Sequence, residues 1–159
     1  MSLRPILTLP DPRLRQICAP VAAFDADLEA LVADMFETMY AAPGRGLAAP
    51  QVGVMRRLFV MDVGWKEGAS DPRVFVNPRI VPAEGGVTAV MTEQCLSIPD
   101  RAVRLERPAR VRLCWQDTAG RADAADFDGF AARCIQHECD HLDGLLCIDR
   151  PEATEGGAP

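Results

Sequence analysis

The segment CIQHECDHLDG, residues 134–144, holds both histidines of the chain, four positions apart, with a glutamate directly after the first. His-Glu-x-x-His on a helix places two imidazole nitrogens on one metal and a carboxylate beside the open coordination position. At about 100 degrees per residue, Phe127, Phe130, Cys134, His137 and His141 fall within roughly 80 degrees of one another. The histidines therefore continue an amphipathic stripe read as core-facing, where two buried imidazoles need a shared partner. Glu138 lies about 100 degrees round from His137, on the flank from which water at a metal could be reached.

Two imidazoles do not complete a site. Cys134 shares the histidine face, but a metal between His137 and His141 sits about 7.5 Å further along the axis. A thiolate cannot span that and still leave a bond of about 2.3 Å. Cys139 is turned about 200 degrees from His137. Both read as packing residues, so a third ligand has to come from another segment. An ordinary zinc peptidase, which shares the histidine motif and would cut internal peptide bonds, is the rival enzyme reading.

The elements that must position these groups are legible in part. Leu28, Leu31, Val32, Met35, Phe36, Met39 and Tyr40 follow helical spacing, predicting a helix over about 25–40 capped by Asp25 or Asp27. Strand character appears at 57–62, 73–77, 87–97 and 109–117, and a second helix is predicted over about 127–142. Helix, strands and helix in that order suggest an α+β fold, with antiparallel strands around a central metal-bearing helix. Residues 1–150 form the expected single catalytic domain, and 151–159 the expected disordered tail.

Composition narrows the function class. With 159 residues, 48% of them hydrophobic, the chain can bury a core. A formal net charge of -6 argues against nucleic acid as a partner, although five arginines cluster between 101 and 112. The amino terminus has no signal-like apolar core, and no run reaches membrane-spanning length. The reading is a cytoplasmic protein without a membrane partner, its six cysteines being free thiols or ligands.

Two more segments sharpen this. GRGLAAPQVG at 44–53 is a small-residue loop with one amide side chain, and TEQCLSIPD at 92–100 sets Cys95 at a strand end. With the histidine helix they resemble the three ordered motifs of the peptide deformylase family, metal hydrolases that remove the formyl group from new bacterial proteins. The motifs stand here as Gly44 to Gln51, Glu93 to Ser97 and Gln136 to Leu142, and the likeness extends over roughly residues 3–150.

The resemblance implies that Cys95, His137 and His141 hold one divalent metal, natively Fe²⁺, with Zn²⁺ or Ni²⁺ as alternatives. One thiolate and two neutral imidazoles leave such an ion one open position for water. Glu138 is then the catalytic proton relay, and the Gln51 side-chain amide and Leu96 backbone N–H are the donors to the oxyanion. An N-formylated peptide would lie as an extended strand beside Gly44, Arg45 and Gly46, near Gln94, with Arg101 as a further backbone contact.

Three departures from the family pattern bear on substrate choice. Gln94 stands where the family has glycine, Arg45 stands where it has an apolar residue, and the chain stops soon after Asp149. A glycine beside a ligand often serves an unusual φ or a close approach. The short, non-basic end argues against ribosome docking through a carboxy-terminal helix, and the protein is expected as a monomer. A competing reading is a paralogue of altered specificity, or one that binds formylated or acylated amino termini without turnover.

Overall fold

A computed structural model of the chain describes residues 2–81 and 86–154. Helix α1 spans Ala26–Ala41, and Asp25 caps it by accepting from the Leu28 N–H at 3.0 Å. Strands β1 (Gly46–Ala48), β2 (Leu58–Met61), β3 (Arg73–Val81), β4 (Thr88–Cys95), β5 (Ile98–Pro108), β6 (Arg110–Gln116) and β7 (Ala122–Asp128) follow. Helix α2 spans Gly129–Leu142. The fold is α+β, as the sequence suggested.

All strand pairs are antiparallel. One sheet runs β1-β2-β3-β6-β7, and β4 and β5 form a separate hairpin. Strand β2 is buried on both faces, which explains its unbroken apolar sequence LFVM. Phe59 and Met61 pack toward Ile135, Cys139 and Leu142 of α2, whereas Leu58 and Val60 pack toward Val32, Met35 and Met39 of α1. The sheet is thus clasped between the helices, and α2 also touches β5. That second contact brings the hairpin's inner face against the histidines.

The helix α2 begins two residues later than its periodicity suggests. Phe127 belongs to β7, opposite Val111, and Gly129 at φ +56° turns the chain from strand into helix. The stripe through Phe130, Cys134 and His137 lines the cleft between sheet and hairpin rather than the deepest core, and His141 is buried. Phe130 is 45% exposed, while Ala132, Ile135 and Leu142 are fully buried. An apolar residue at a cleft wall and one in a core are indistinguishable by period alone.

Strands β1, β5 and β7 were not anticipated. In β5 the arginines at 101, 104 and 107 read as a basic patch, yet Val103, Leu105 and Arg107 point inward. At the carboxy-terminal side, Ala153 N–H donates to Arg104 O at 2.8 Å. The expected tail therefore has an anchored portion, and its remainder, 155–159, lies outside the described residues.

Candidate metal centre

Cys95 closes β4 at the tip of the hairpin, directly opposite Ile98, where the register shifts between Gln94 and Cys95. Such a shift re-aims side chains. Alternation along the strand buries Glu93 and Cys95 and exposes Gln94. Because α2 packs against this hairpin, Cys95 meets the two histidines: its Sγ lies 3.3 Å from His141 Nε2. Ligand atoms of Cys95, His137 and His141 all lie within 4.8 Å of one another, and all three residues are buried. Bonds of about 2.0–2.3 Å at tetrahedral angles need ligand atoms about 3.5 Å apart, so the set fits a divalent ion with one position open.

The imidazoles are prepared for that task. His137 Nδ1 pairs with Glu93 Oε1 at 2.9 Å, which leaves its Nε2 as the ligand nitrogen. Glu93 is held in turn by Arg107 Nε at 2.6 Å, Arg107 Nη2 at 2.9 Å and Arg133 Nη1 at 2.8 Å. Burial alone would raise the Glu93 carboxyl, but hydrogen bonds with His137 and Arg107 outweigh it and hold the group well below its ordinary range. Arg107 also reaches Asp140 Oδ2 at 2.9 Å, and Arg150 grips both Asp140 oxygens at 2.7 Å. The arginine partners of Glu93 are thus Arg107 and Arg133, and Asp140 is a buried member of the same network.

Glu138 is differently placed. Its Oε1 is buried with no hydrogen-bond partner among the described residues, and Oε2 has only the Cys134 thiol at 3.9 Å. Burial pushes this carboxyl up to about 7, against the lowering pull of His137. A carboxyl with that pKa and no structural commitment can take up and give back a proton near neutral pH. Cys134 is raised far above the ordinary thiol range, first by burial and then by Glu138, and stays outside the ligand group. Cys139 packs in the core.

The first motif supplies the opposite wall. Gln51 Oε1 accepts from Ala48 N–H at 2.9 Å, which aims Nε2 at Ser97 Oγ (3.1 Å) and Cys95 Sγ (3.7 Å). Ser97 is the partner that sequence reasoning did not single out. Its place two residues after Cys95, across the hairpin turn, is the only signal that could have found it. Gly46 must be a glycine for space: a Cβ there would stand 2.7 Å from both Cys134 Sγ and Glu138 Oε2. Gly46→Ala should displace Glu138 and lower kcat by about tenfold to a hundredfold, with metal content retained; steady-state kinetics beside metal analysis checks this.

Between these walls lies a cleft of ≈ 510 Å³, lined by Gly44, Arg45, Gly46, Gln51, Gln94, Leu96, Phe130, His137 and Glu138 among others. Every expected substrate-side residue lines it except Arg101, which is exposed on β5 and outside the lining. Gln94 needs no unusual backbone, since Asn77 is the only non-glycine at positive φ among the described residues. The glycine-to-glutamine departure therefore carries no strain. Arg45 does not turn away from the cleft: it ion-pairs with Glu67 at 2.6 Å, bonds Val63 O and covers the Phe130 ring at 5.5 Å.

Comparison with known proteins agrees with this geometry. Residues 3–156 match the family model described as polypeptide deformylase. A peptide deformylase from Afipia carboxidovorans is 50% identical over 149 residues, covering 94% of this chain and 86% of the relative. One from Rhizobium meliloti is 47% identical over 149 residues, covering 94% and 85%. Among solved structures, peptide deformylase from Thermotoga maritima superposes with a TM-score of 0.89 at 42% identity, covering 95% of this chain and 99% of that one. The Synechococcus elongatus enzyme in complex with actinonin gives 0.87 at 41% identity, covering 92% and 79%.

Proposed function

The chain belongs to the polypeptide deformylase family, and from that premise we infer how its own residues carry out the family's reaction. The protein is a metal-dependent hydrolase that removes the N-formyl group from the amino termini of peptides, giving formate and a free amine. The observation that carries the assignment to residues is the convergence of Cys95, His137 and His141 beside the uncommitted Glu138 carboxylate.

Cys95, His137 and His141 would hold a divalent ion, which when bound would supply Lewis acidity to the reaction. Glu138 Oε1 receives the proton of the attacking water and delivers it to the departing amine nitrogen, so the formyl C–N bond breaks without a charged leaving group. The Gln51 amide, fixed by Ala48 N–H, donates to the oxyanion together with the Leu96 N–H at the hairpin turn. Glu93 keeps the ring of His137 oriented through Nδ1. The peptide lies as an added strand along the unpaired side of β1, the edge strand of its sheet, between Arg45 and Gln94.

Residues 1–150 serve as the catalytic unit, and Fe²⁺ is the native ion, with Zn²⁺ or Ni²⁺ as substitutes. The protein works as a cytoplasmic monomer on formylated amino termini. No described helix is long and apolar enough to cross a membrane.

Cys95 separates this reading from an ordinary zinc peptidase, which would need no such thiolate. Cobalt-substituted protein should show a thiolate-to-metal charge-transfer absorption that disappears in Cys95→Ala, together with most of the bound metal and the formate release. A Cys95→Ala protein that kept its metal and cut internal peptide bonds would sink the assignment.

A further inference from the structure

Beyond the metal centre, the charge on the cleft wall is one-sided. Among the described residues, the acidic ones lining the cleft are Glu93 and Glu138, and both belong to the centre itself. The other charged lining residues are Arg45, Lys66 and Arg133, all cationic, on a chain whose formal net charge is -6. Arg133 is spent internally, on Glu93 and the carbonyls of Ala89 and Leu105. That leaves Arg45 and Lys66 on the rim, both placed by one short segment.

The placement is built rather than incidental. Trp65 Nε1 donates to Gly44 O at 2.8 Å, Asp62 N–H to Arg45 O at 2.8 Å, and Arg45 returns bonds to Val63 O and Glu67. These contacts clamp the 3₁₀ turn Trp65–Glu67 against the first motif. Glu67 is gripped by Arg45 through both its oxygens and lies outside the cleft lining. Lys66 is exposed, sits over the Trp65 ring and has no salt bridge among the described residues. Two cations against one anion leave the rim net positive next to where the peptide must pass.

Resting on the deformylase reading, we propose that this rim selects a carboxylate carried by the peptide just beyond its formyl-methionine. The preferred substrates are formylated peptides with glutamate or aspartate within the first few residues, or short ones with a free terminal carboxylate. Arg45 at the family's apolar position anchors the rim, and Lys66 supplies the charge that the substrate meets. Complementary charge at a solvated rim changes capture more than chemistry, so the effect belongs in kcat/KM and weakens with salt.

The test compares formyl-Met-Ala-Glu-Ala amide with its glutamine and lysine counterparts, and formyl-Met-Ala-Ala with its amide, at low and high ionic strength. Wild-type kcat/KM should run Glu over Gln over Lys, with about threefold to tenfold between the extremes at low salt and a smaller gap at high salt. Lys66→Glu should reverse that order and Lys66→Gln should flatten it, each compared only as a ratio within one variant. Lys66 is the residue to change, because Arg45 also holds Val63 and Glu67. A preference among internal residues assigns the rim to side-chain carboxylates; one confined to the uncapped peptide assigns it to the terminal carboxylate. Equal rates for all three side chains and both termini, or an order unchanged in Lys66→Glu, would overturn the inference while leaving the deformylase reading intact. No formate from any peptide would overturn both.

Discussion

Glu138→Ala should release formate about a hundredfold to ten-thousandfold more slowly than the wild type while holding its metal. The expectation follows from where the carboxylate stands. Among the described residues it makes no strong bond, so removing it breaks no network seen there, and it is not one of the three clustered ligand residues. Burial holds its pKa at about 7, which suits a group that must accept and then return a proton. KM should change little, because in the proposed binding mode the peptide is gripped by β1 and the hairpin rather than by Glu138. Glu138→Gln keeps the shape but not the proton transfer, and should be as slow. Stability should not fall, since an unpartnered buried carboxyl disfavours folding when charged. Metal content, kcat and thermal unfolding on the same preparations check all of this. A variant that lost its metal along with its activity would make Glu138 a ligand rather than a proton relay.

Arg107→Ala should be among the most damaging changes away from the ligands themselves. Its side chain is 3% exposed and holds two carboxylates apart, Glu93 on one side and Asp140 on the other. Without it these anions remain buried with less compensation, a loss of about 3–5 kcal/mol in unfolding free energy. The pH dependence has a definite sign. Glu93 has a depressed folded-state pKa, so its stabilisation is present above the unfolded value of 4.5 and is lost as pH falls through the folded value. Removing Arg107 raises the folded value, so acid unfolding should begin at higher pH. Metal affinity should drop about tenfold to a hundredfold, because Glu93 no longer fixes the His137 ring. Denaturant titrations across the acid range, with competition against a chelator, measure both. Arg107→Lys should rescue little, since an ammonium cannot fork between two carboxylates.

How much was legible in the sequence differs between parts of the molecule. Helix α1 and the histidine pair could be read because both announce themselves at helical spacing within a few turns. The ligand Cys95 could not be read that way: it stands 46 residues before His141, and only resemblance to a family linked them. The inward turn of Arg107 was hidden for a similar reason. Nothing near it in sequence forecasts burial, because the carboxylates that neutralise it lie 14 and 33 residues away. Strand β5 was missed with it, since a buried Arg107 in line with the inward Val103 and Leu105, beside exposed arginines at 101 and 104, blurs the period-two signal. Arg45 is the reverse case. Its departure from the family pattern was visible at once, but its partner Glu67 is 22 residues on and its aromatic partner Phe130 lies in another element.

The proposed reading is that Cys95, His137 and His141 would hold one metal beside Glu138 for hydrolysis of a formyl amide. It is tested most directly by formate release from a formyl-methionine tripeptide, with the protein loaded anaerobically with Fe²⁺ and, separately, Ni²⁺. One bound metal per chain and sustained formate release, lost in Glu138→Ala with the metal retained, is the predicted result. A protein that holds one metal on these ligands, binds the peptide and releases no formate would contradict the account.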